Sequence, residues 1–140
     1  MSDNQSVGQS VGAVPVLVAE DDTIIRMFVR ESLADGGFAV IEASSGSEAI
    51  RRFDAEATRI QAVVLDIRLG AGPDGWIVAR HAREANPKVS VIYISGHGAA
   101  HWHAQGVPNS VMLEKPFTPA QIVTAVASQL NQSAGSADGA

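Results

Sequence analysis

Five short apolar runs recur along the chain, and polar stretches with helical spacing separate them. Each run is continuous rather than alternating, is rich in β-branched residues, and is too short to form a helix. Continuous apolar runs of this length are typical of strands that are covered on both faces of a sheet. The pattern therefore predicts buried strands at Val14–Ala19, Phe38–Ile41, Ala62–Leu65, Val89–Ile94 and Val111–Leu113.

The stretches between these runs have the spacing and the capping signals of helices. Apolar residues recur every three or four positions from Ile24 to Leu33, and the pair Gly36-Gly37 follows as a stop signal. Further helices are predicted after the capping boxes Ser45-Gly46-Ser47-Glu48 and Thr118-Pro119-Ala120-Gln121, over Gly75–Ala85, and, as a weaker and shorter candidate, over 98–106.

Strands that alternate with helices predict βαβ units, right-handed crossovers and a parallel sheet with helices on both faces. We therefore expect an α/β domain, doubly wound around a five-stranded parallel sheet, over residues 14–131. The ends, 1–13 and 132–140, are rich in Gly, Ser, Ala, Asn and Gln and are expected to be mobile tails. In such a sheet a ligand site forms beyond the carboxyl ends of the strands.

Composition narrows the class of protein further. The 140 residues fit one domain, and a net charge of −5 argues against a nucleic-acid-binding face, which must be basic. The chain has no Cys, which removes disulfides and thiolate metal sites and fits a reducing compartment. It shows no secretory signal and no apolar run near the roughly 20 residues of a membrane span. The expectation is a soluble cytoplasmic protein without membrane or nucleic-acid partners.

Polar residues with complementary chemistry follow four of the predicted strands. Several carboxylates placed close together repel one another, so a cation should compensate them, and their hard oxygen atoms favour Mg²⁺. Three ionised carboxylates would be balanced by the metal and one Lys, and the site could then accept an anionic phosphoryl group. Asp22 or Thr23 has a simpler role as an N-cap. The residues are Glu20-Asp21-Asp22, Asp66, Ser95 and Lys115-Pro116.

Together these residues resemble the response-regulator receiver domain of two-component signalling. The resemblance covers about 14–131, and both the order and the spacing of the motifs agree. It implies a flavodoxin-like receiver fold with strand order 2-1-3-4-5. The motifs are Val16-Leu17-Val18-Ala19-Glu20-Asp21-Asp22, Val63-Val64-Leu65-Asp66, Asp74-Gly75, Ile94-Ser95-Gly96 and Glu114-Lys115-Pro116-Phe117.

The resemblance also implies a metal site and a phosphoacceptor. Asp66 matches the aspartate that takes a phosphoryl group from the phosphohistidine of a sensor kinase or a histidine phosphotransfer protein. Asp21 matches a direct Mg²⁺ ligand, and Glu20 matches an acid that acts largely through water. Asp66 and the backbone carbonyl of Arg68 match the remaining protein ligands.

Two further strand-end residues match groups that contact the phosphoryl group. Lys115 matches the lysine that pairs with it, and the bond from Lys115 to Pro116 matches one that is often cis in the family. Ser95 matches the hydroxyl residue that moves towards the phosphoryl oxygens. Arg68 and His97 stand at the two positions that modulate how fast water reaches the acyl phosphate.

The sequence departs from the family pattern in three places. The aromatic switch position falls at Met112, and Tyr93 is either a substitute for it or an ordinary strand aromatic packed against a helix. The loop 67–75 is about one residue longer than usual and is rich in Gly. The interval from Ser95 to Lys115 is about two residues short, which predicts that the fourth helix is short or frayed.

These observations favour a stand-alone, single-domain response regulator. Only ten residues follow Leu130, so output is expected through contact with an unidentified protein or through a phosphorelay. The protein is expected to catalyse only its own phosphorylation and dephosphorylation. Alternatives are a haloacid-dehalogenase-like Mg²⁺-dependent phosphatase, a receiver-fold scaffold independent of phosphorylation, and a flavodoxin-like cofactor binder. The last conflicts with the acidic cluster after the first strand.

Overall fold

The structure is a computed structural model that describes residues 12–96 and 99–139. Strands and helices alternate throughout this part of the chain. The strands are β1 (Pro15–Ala19), β2 (Ala39–Ala43), β3 (Ala62–Asp66), β4 (Ser90–Ser95) and β5 (Ser110–Glu114). The helices are α1 (Thr23–Asp35), α2 (Gly46–Ala55), α3 (Gly75–Ala85), α4 (Ala99–Gln105) and α5 (Pro119–Gly139).

All five strands pair in parallel in a single sheet with the order β2-β1-β3-β4-β5. This confirms the predicted doubly wound α/β fold and its strand order. The chain winds to one side of β1 for β2 and to the other side for β3, so the switch point lies between β1 and β3. Ala19 is paired with Leu65 across that point, which brings the next residues, Glu20 and Asp66, to the same edge of the sheet.

Two apolar layers hold the helices against the sheet, because successive strand side chains point to opposite faces. On one face, Leu17, Val63 and Tyr93 belong to a buried cluster with Phe53 of α2 and Trp76 of α3. The second cluster lies on the other face, against α1 and α5, and includes Val16, Val18, Val64, Ile92, Val29, Leu33, Ile122 and Val126. The central strands are therefore covered on both sides, as their continuous apolar runs predicted.

Local capping sets the ends of the helices. Asp22 is the N-cap of α1 and accepts a hydrogen bond from the backbone N–H of Ile25 at 3.0 Å. Thr118 and Gln121 form a reciprocal capping box before α5, with bonds of 2.8 and 3.1 Å. Gly37 follows α1 with a φ of 98°, the left-handed conformation that glycine favours, and this ends the helix where the sequence predicted.

Two predicted boundaries differ from the structure by more than one residue, whereas the ends of the other strands shift by at most one. β2 begins one residue later than predicted and ends at Ala43 instead of Ile41. The folded part was expected to end at 131, whereas α5 continues to Gly139. Ala and Gln are good helix formers, and the hydroxyl of Ser133 lies 3.0 Å from that of Ser90, so the sheet supports part of this extension. Residues 1–11 of the predicted N-terminal tail lie outside the described residues.

The segment between β4 and β5 contains a short helix and a firmly held loop. α4 has seven residues, which confirms the predicted short fourth helix; its fraying stays a prediction. In the following loop, Asn109 has a φ of 57°. The carbonyl of Asn109 accepts one hydrogen bond from Arg83 of α3 at 3.0 Å and one from Gln129 of α5 at 2.8 Å. Helices from both faces of the sheet therefore hold this loop.

Among the described residues, no helix combines the length and the hydropathy needed to cross a membrane.

Candidate functional site

A lysine and two buried carboxylates form the centre of the candidate site. Glu20 follows β1, Asp66 ends β3, and both are buried, with exposed fractions of 0% and 6%. The Lys115 ammonium follows β5 and lies 3.0 Å from Oε1 of Glu20 and 3.3 Å from Oδ2 of Asp66. Three strands that are distant in sequence therefore bring opposite charges to one point at the carboxyl edge of the sheet.

Backbone hydrogen bonds orient the acidic residues. The N–H of Glu20 donates to the carbonyl of Ala43 at 3.1 Å, which extends the pairing of β1 with β2 by one residue. Its side-chain Oε2 accepts a hydrogen bond from the backbone N–H of Asp22 at 3.1 Å. Oδ1 of Asp66 accepts a longer bond, 3.4 Å, from the backbone N–H of Arg68. Both carboxyl groups are therefore oriented by their own strand-to-helix loops.

The pKa values of Glu20 and Lys115 are both shifted by burial and by their neighbouring charges. Burial, together with the neighbouring Asp66 carboxyl group, raises the pKa of Glu20 to about 7. For Lys115, burial opposes the charged form, but the hydrogen bond with Glu20 and the charges of both acids outweigh it and raise the pKa of the ammonium group. The lysine therefore stays protonated, whereas the Glu20 carboxyl group is only partly ionised near neutral pH.

The acidic residues fit a divalent metal ion. One carboxylate oxygen from each of Glu20, Asp21 and Asp66 lies within 4.8 Å of the others. Asp21 is exposed while the other two are buried, so the group opens to solvent on one side. Within the described chain, Oε1 of Glu20 is a buried oxygen that pairs with the Lys115 ammonium at 3.0 Å and has no other hydrogen-bond partner. Oxygen donors with excess negative charge are the ligands that Mg²⁺ prefers.

Ser95 and Lys115 lie side by side at the same edge. Ser95 ends β4, is buried, and is paired with Glu114 of β5. The backbone N–H of Lys115 donates to the carbonyl of Ser95 at 2.9 Å, which fixes the start of the loop that presents the lysine. The peptide bond between Lys115 and Pro116 is cis, as the family resemblance implied.

The structure thus brings most of the sequence-predicted site residues together. Glu20, Asp21, Asp66 and Lys115 form one cluster, and Ser95 joins it through the backbone of Lys115. Arg68 lies next to Asp66, where its side chain is exposed, and the role of its backbone carbonyl as a ligand stays a prediction. His97, which was assigned a role in the lifetime of the phosphorylated state, lies outside the described residues.

The aromatic residues near the site have structural partners. Tyr93 is fully buried, and its ring lies 4.7 Å from the ring of Trp76, centroid to centroid. Its hydroxyl accepts a hydrogen bond from the backbone N–H of Val107 at 3.1 Å. These contacts favour the interpretation of Tyr93 as a strand aromatic packed against a helix. Met112, at the family's switch position, is the cross-strand neighbour of Tyr93.

An apolar groove beside Lys115 was not predicted from the sequence. It has a volume of about 290 Å³ and lies between α1 and the loop after β5. Two of its α1 residues remain exposed, Ile24 with an exposed fraction of 72% and Phe28 with 36%, and Met27 on the same helix is 43% exposed. In an amphipathic helix, large apolar residues ordinarily face the protein core. The groove is lined by Ile24, Ile25, Phe28, Lys115, Pro116 and Phe117.

Comparisons with known proteins agree with this geometry. Residues 16–127 match the family described as the response regulator receiver domain. The fold is similar to that of a response regulator receiver protein from Sinorhizobium medicae, with a TM-score of 0.84, 47% identity, and coverage of 88% of this chain and 98% of that one.

Two curated relatives from Brucella abortus differ in how much of their length is matched. Sensor kinase CckA is 31% identical over 124 residues, which are 86% of this chain but only 13% of CckA. Response regulator receiver protein CpdR is 27% identical over 117 residues, which are 82% of this chain and 95% of CpdR. The chain therefore spans a small part of one relative and nearly all of the other.

Proposed function

The chain belongs to the response regulator receiver domain family, and we propose that it is a single-domain response regulator phosphorylated on Asp66 by a sensor histidine kinase or a histidine phosphotransfer protein. The observation that supports this most directly is the cluster of three carboxylates within 4.8 Å, beside an ammonium group 3.3 Å from Asp66. Buried acids and a lysine in this arrangement suit a group that must receive and neutralise a phosphoryl anion.

The proposed metal is Mg²⁺, held by Glu20, Asp21 and Asp66 together with the backbone carbonyl of Arg68. When bound, Mg²⁺ supplies positive charge that neutralises the carboxylates and the phosphoryl oxygens. The raised pKa of Glu20 is consistent with this assignment: burial, and to a smaller extent the Asp66 carboxyl group, disfavour its charged form, and a bound cation would stabilise it. The lysine, in contact with both Glu20 and Asp66, provides further positive charge.

The proposed reaction is an in-line displacement at phosphorus. A carboxylate oxygen of Asp66 forms the new P–O bond, the P–N bond to the donor imidazole breaks, and the imidazole takes the electron pair. Lys115 pairs with the transferred phosphoryl oxygens, and Ser95 donates a hydrogen bond to them. The catalytic groups are therefore Asp66, Lys115 and Ser95. The product is an acyl phosphate, which water later hydrolyses at the same phosphorus.

The apolar groove beside Lys115 is the surface that we propose for docking of the phosphodonor. The donor histidine must approach Asp66 from the open edge of the sheet, and the groove adjoins that edge through Lys115. Exposed apolar side chains grouped beside a reactive residue are typical of a protein-binding surface. A helical donor protein could cover Ile24, Met27 and Phe28 while presenting its histidine to Asp66.

We propose that output occurs through contact with another protein or through a phosphorelay. The near-complete match to CpdR, 95% of its length, supports a single-domain regulator. The protein would then catalyse only its own phosphorylation and dephosphorylation, with no separate metabolic substrate. We place it in the cytoplasm, which the absence of Cys supports.

A haloacid-dehalogenase-like phosphatase is less well supported. That chemistry requires an acid two residues after the nucleophilic Asp, and this position is occupied by Arg68. A scaffold that works without phosphorylation would not need Glu20, Asp66 and Lys115 buried together, which carries a desolvation cost.

The test is intact-mass analysis after incubation with acetyl phosphate. The expected result is one phosphoryl adduct in the presence of Mg²⁺ and none when EDTA is present. Asp66→Asn should abolish the adduct, whereas Asp54→Asn, at an exposed acid of α2, should leave it unchanged. No adduct on the wild-type protein, or an equal adduct on Asp66→Asn, would overturn the proposal.

A further inference from the structure

Arg26 on α1 reaches back to the loop that carries the acidic residues. Its Nη1 donates a hydrogen bond of 2.8 Å to the backbone carbonyl of Glu20, the residue that is fully buried in the site. Its Nε lies 3.3 Å from Oε1 of Glu42 on β2. The Arg26 side chain itself is mostly buried, with 19% of its area exposed. A single guanidinium group therefore joins the acidic loop to the edge strand.

The same edge strand holds the other side of the Glu20 peptide. The N–H of Glu20 donates to the carbonyl of Ala43, and Ala43 follows Glu42, the partner of Arg26. Both backbone polar groups of Glu20 are therefore linked to β2, one directly and one through Arg26. At its base, Arg26 is held in α1 by a backbone bond to Asp22 of 2.9 Å. Arg26 therefore bonds to both ends of the loop 20–22, through its side chain to Glu20 and through its backbone to Asp22.

We propose that Arg26 is a positioning residue for the metal site, which it serves by fixing the backbone of Glu20 and hence the carboxylates of Glu20 and Asp21. This inference rests on the proposed Mg²⁺ site. Within the described residues, the Arg26 side chain bonds to the backbone carbonyl of Glu20 and not to the carboxylate oxygens of Glu20 or Asp21, so it acts on the metal ligands through the backbone. A metal site preorganised in this way binds its ion without first ordering its ligands.

The positive charge of Arg26 and its positioning of the loop have opposite effects on the affinity for Mg²⁺. A cation near a metal site weakens metal binding, so removal of its charge alone would tighten the binding of Mg²⁺. That charge is partly compensated, because Glu42 accepts from Arg26, although Arg30 shares this carboxylate and lies 3.4 Å from its other oxygen. The planar guanidinium donates from two nitrogens at fixed angles, which a lysine cannot reproduce. The positional effect should therefore dominate.

The experiment measures the Kd of Mg²⁺ by isothermal titration calorimetry for the wild-type protein and for Arg26→Ala, Arg26→Lys and Arg30→Ala. Arg30 is the matched control, because it pairs with Glu42 but makes no bond to Glu20. Hydrogen exchange of the Asp21 and Asp22 amides without Mg²⁺ gives a readout that is independent of the metal. Thermal unfolding identifies effects on overall stability.

We expect the Kd of Mg²⁺ to rise about tenfold in Arg26→Ala, the lower end of the range seen for residues that orient metal ligands. Arg26→Lys should fall between Arg26→Ala and the wild type, and Arg30→Ala should stay within about twofold. Amide exchange at Asp21 and Asp22 should accelerate in Arg26→Ala and not in Arg30→Ala. If Arg26→Ala fails to fold, Arg26→Lys alone decides the outcome.

An unchanged or lower Kd in the Arg26 variants, or equal losses in Arg26→Ala and Arg30→Ala, would overturn the positioning role while leaving the proposed function intact. A lower melting temperature with an unchanged Kd would do the same, because it would show a role in stability only. Absence of Mg²⁺ binding by the wild-type protein would instead contradict the proposed function itself.

Discussion

The ammonium group of Lys115 lies 3.0 Å from Oε1 of Glu20, so the lysine is shared between two acids instead of being reserved for Asp66, the proposed phosphoacceptor. Its distance to Oδ2 of Asp66 is slightly longer, 3.3 Å. Without metal, Lys115 is the cation that compensates both acids. A metal ion and a phosphoryl group would have to share or replace these contacts, which makes the site sensitive to the protonation of Glu20.

The first prediction is that Mg²⁺ binds more weakly as the pH falls below 7. The raised pKa of Glu20, about 7, means that protons compete with the metal for this carboxylate. Between pH 8 and pH 6 the Kd of Mg²⁺ should rise about tenfold, since the protonated fraction of Glu20 becomes dominant. Calorimetric titration at the two pH values measures the change.

Glu20→Gln provides the control for this pH dependence. The variant should bind Mg²⁺ more weakly but with a nearly constant Kd over the same range, because the titrating group is gone.

The raised pKa of Glu20 also has a consequence for the stability of the fold. The folded protein holds this proton more tightly than the unfolded chain, so the metal-free fold should lose stability as the pH rises from the ordinary value of 4.5 through 7. If the Kd of Mg²⁺ or the metal-free stability keeps a steep pH dependence in Glu20→Gln, Glu20 is not the titrating group.

The second prediction concerns the apolar groove beside Lys115. Ile24→Asp places a charge in the surface proposed for docking. The assay uses the histidine kinase that, among those screened, transfers its phosphoryl group to this protein fastest. With that kinase, phosphotransfer to the variant should slow at least tenfold, which corresponds to about 1.4 kcal/mol. Phosphorylation by acetyl phosphate, which needs no docking, should change less than about twofold. Ile77→Asp is the matched control, because Ile77 is also an exposed isoleucine, 48%, but lies on α3. Equal slowing by both variants would remove the proposed docking surface.

The third prediction is that Gly75→Ala destabilises the fold although alanine favours helices. A Cβ at Gly75 would lie 2.3 Å from the carbonyl oxygen of Asp66 and 2.9 Å from Cα of Ile67, both rigid backbone atoms. Denaturation in urea should show a loss of at least about 2 kcal/mol, the scale of overpacking in a core. Gly96→Ala, with nothing within 4 Å, should stay within about 0.5 kcal/mol of the wild type. A small effect at Gly75 would show that β3 can shift away from α3.

The fourth prediction concerns the loop before β5. Arg83 donates to the carbonyls of Val89, Pro108 and Asn109, so Arg83→Ala leaves three acceptors without this partner. We expect the free energy of unfolding to fall by about 2 kcal/mol. Arg80→Ala is the control, since the bonds of Arg80 are longer, 3.4 and 3.5 Å, and should change stability by less than about 0.5 kcal/mol. Urea denaturation of the two variants compares them; similar losses would argue against the special role of Arg83.

The amino-acid sequence determined the features of this protein that depend on local chemistry. Continuous apolar runs predicted the central strands because a parallel sheet buries both faces. Asp22, Ser45 and Thr118 marked the starts of helices, since capping depends on residues only three positions apart. The acidic residues, Asp66, Ser95 and Lys115 followed strands, and parallel strands place their carboxyl ends on one edge.

Only the tertiary structure decided the relationships between distant segments. The groove joins α1 to Phe117, and Arg26 meets the Glu20 carbonyl and Glu42 together, so neither arrangement has a local signature. The extension of α5 to Gly139 depends partly on a contact between Ser133 and Ser90. The sharing of Lys115 between Glu20 and Asp66 likewise required distances, because electrostatic energy and desolvation depend on separation and burial, which spacing along the chain does not specify.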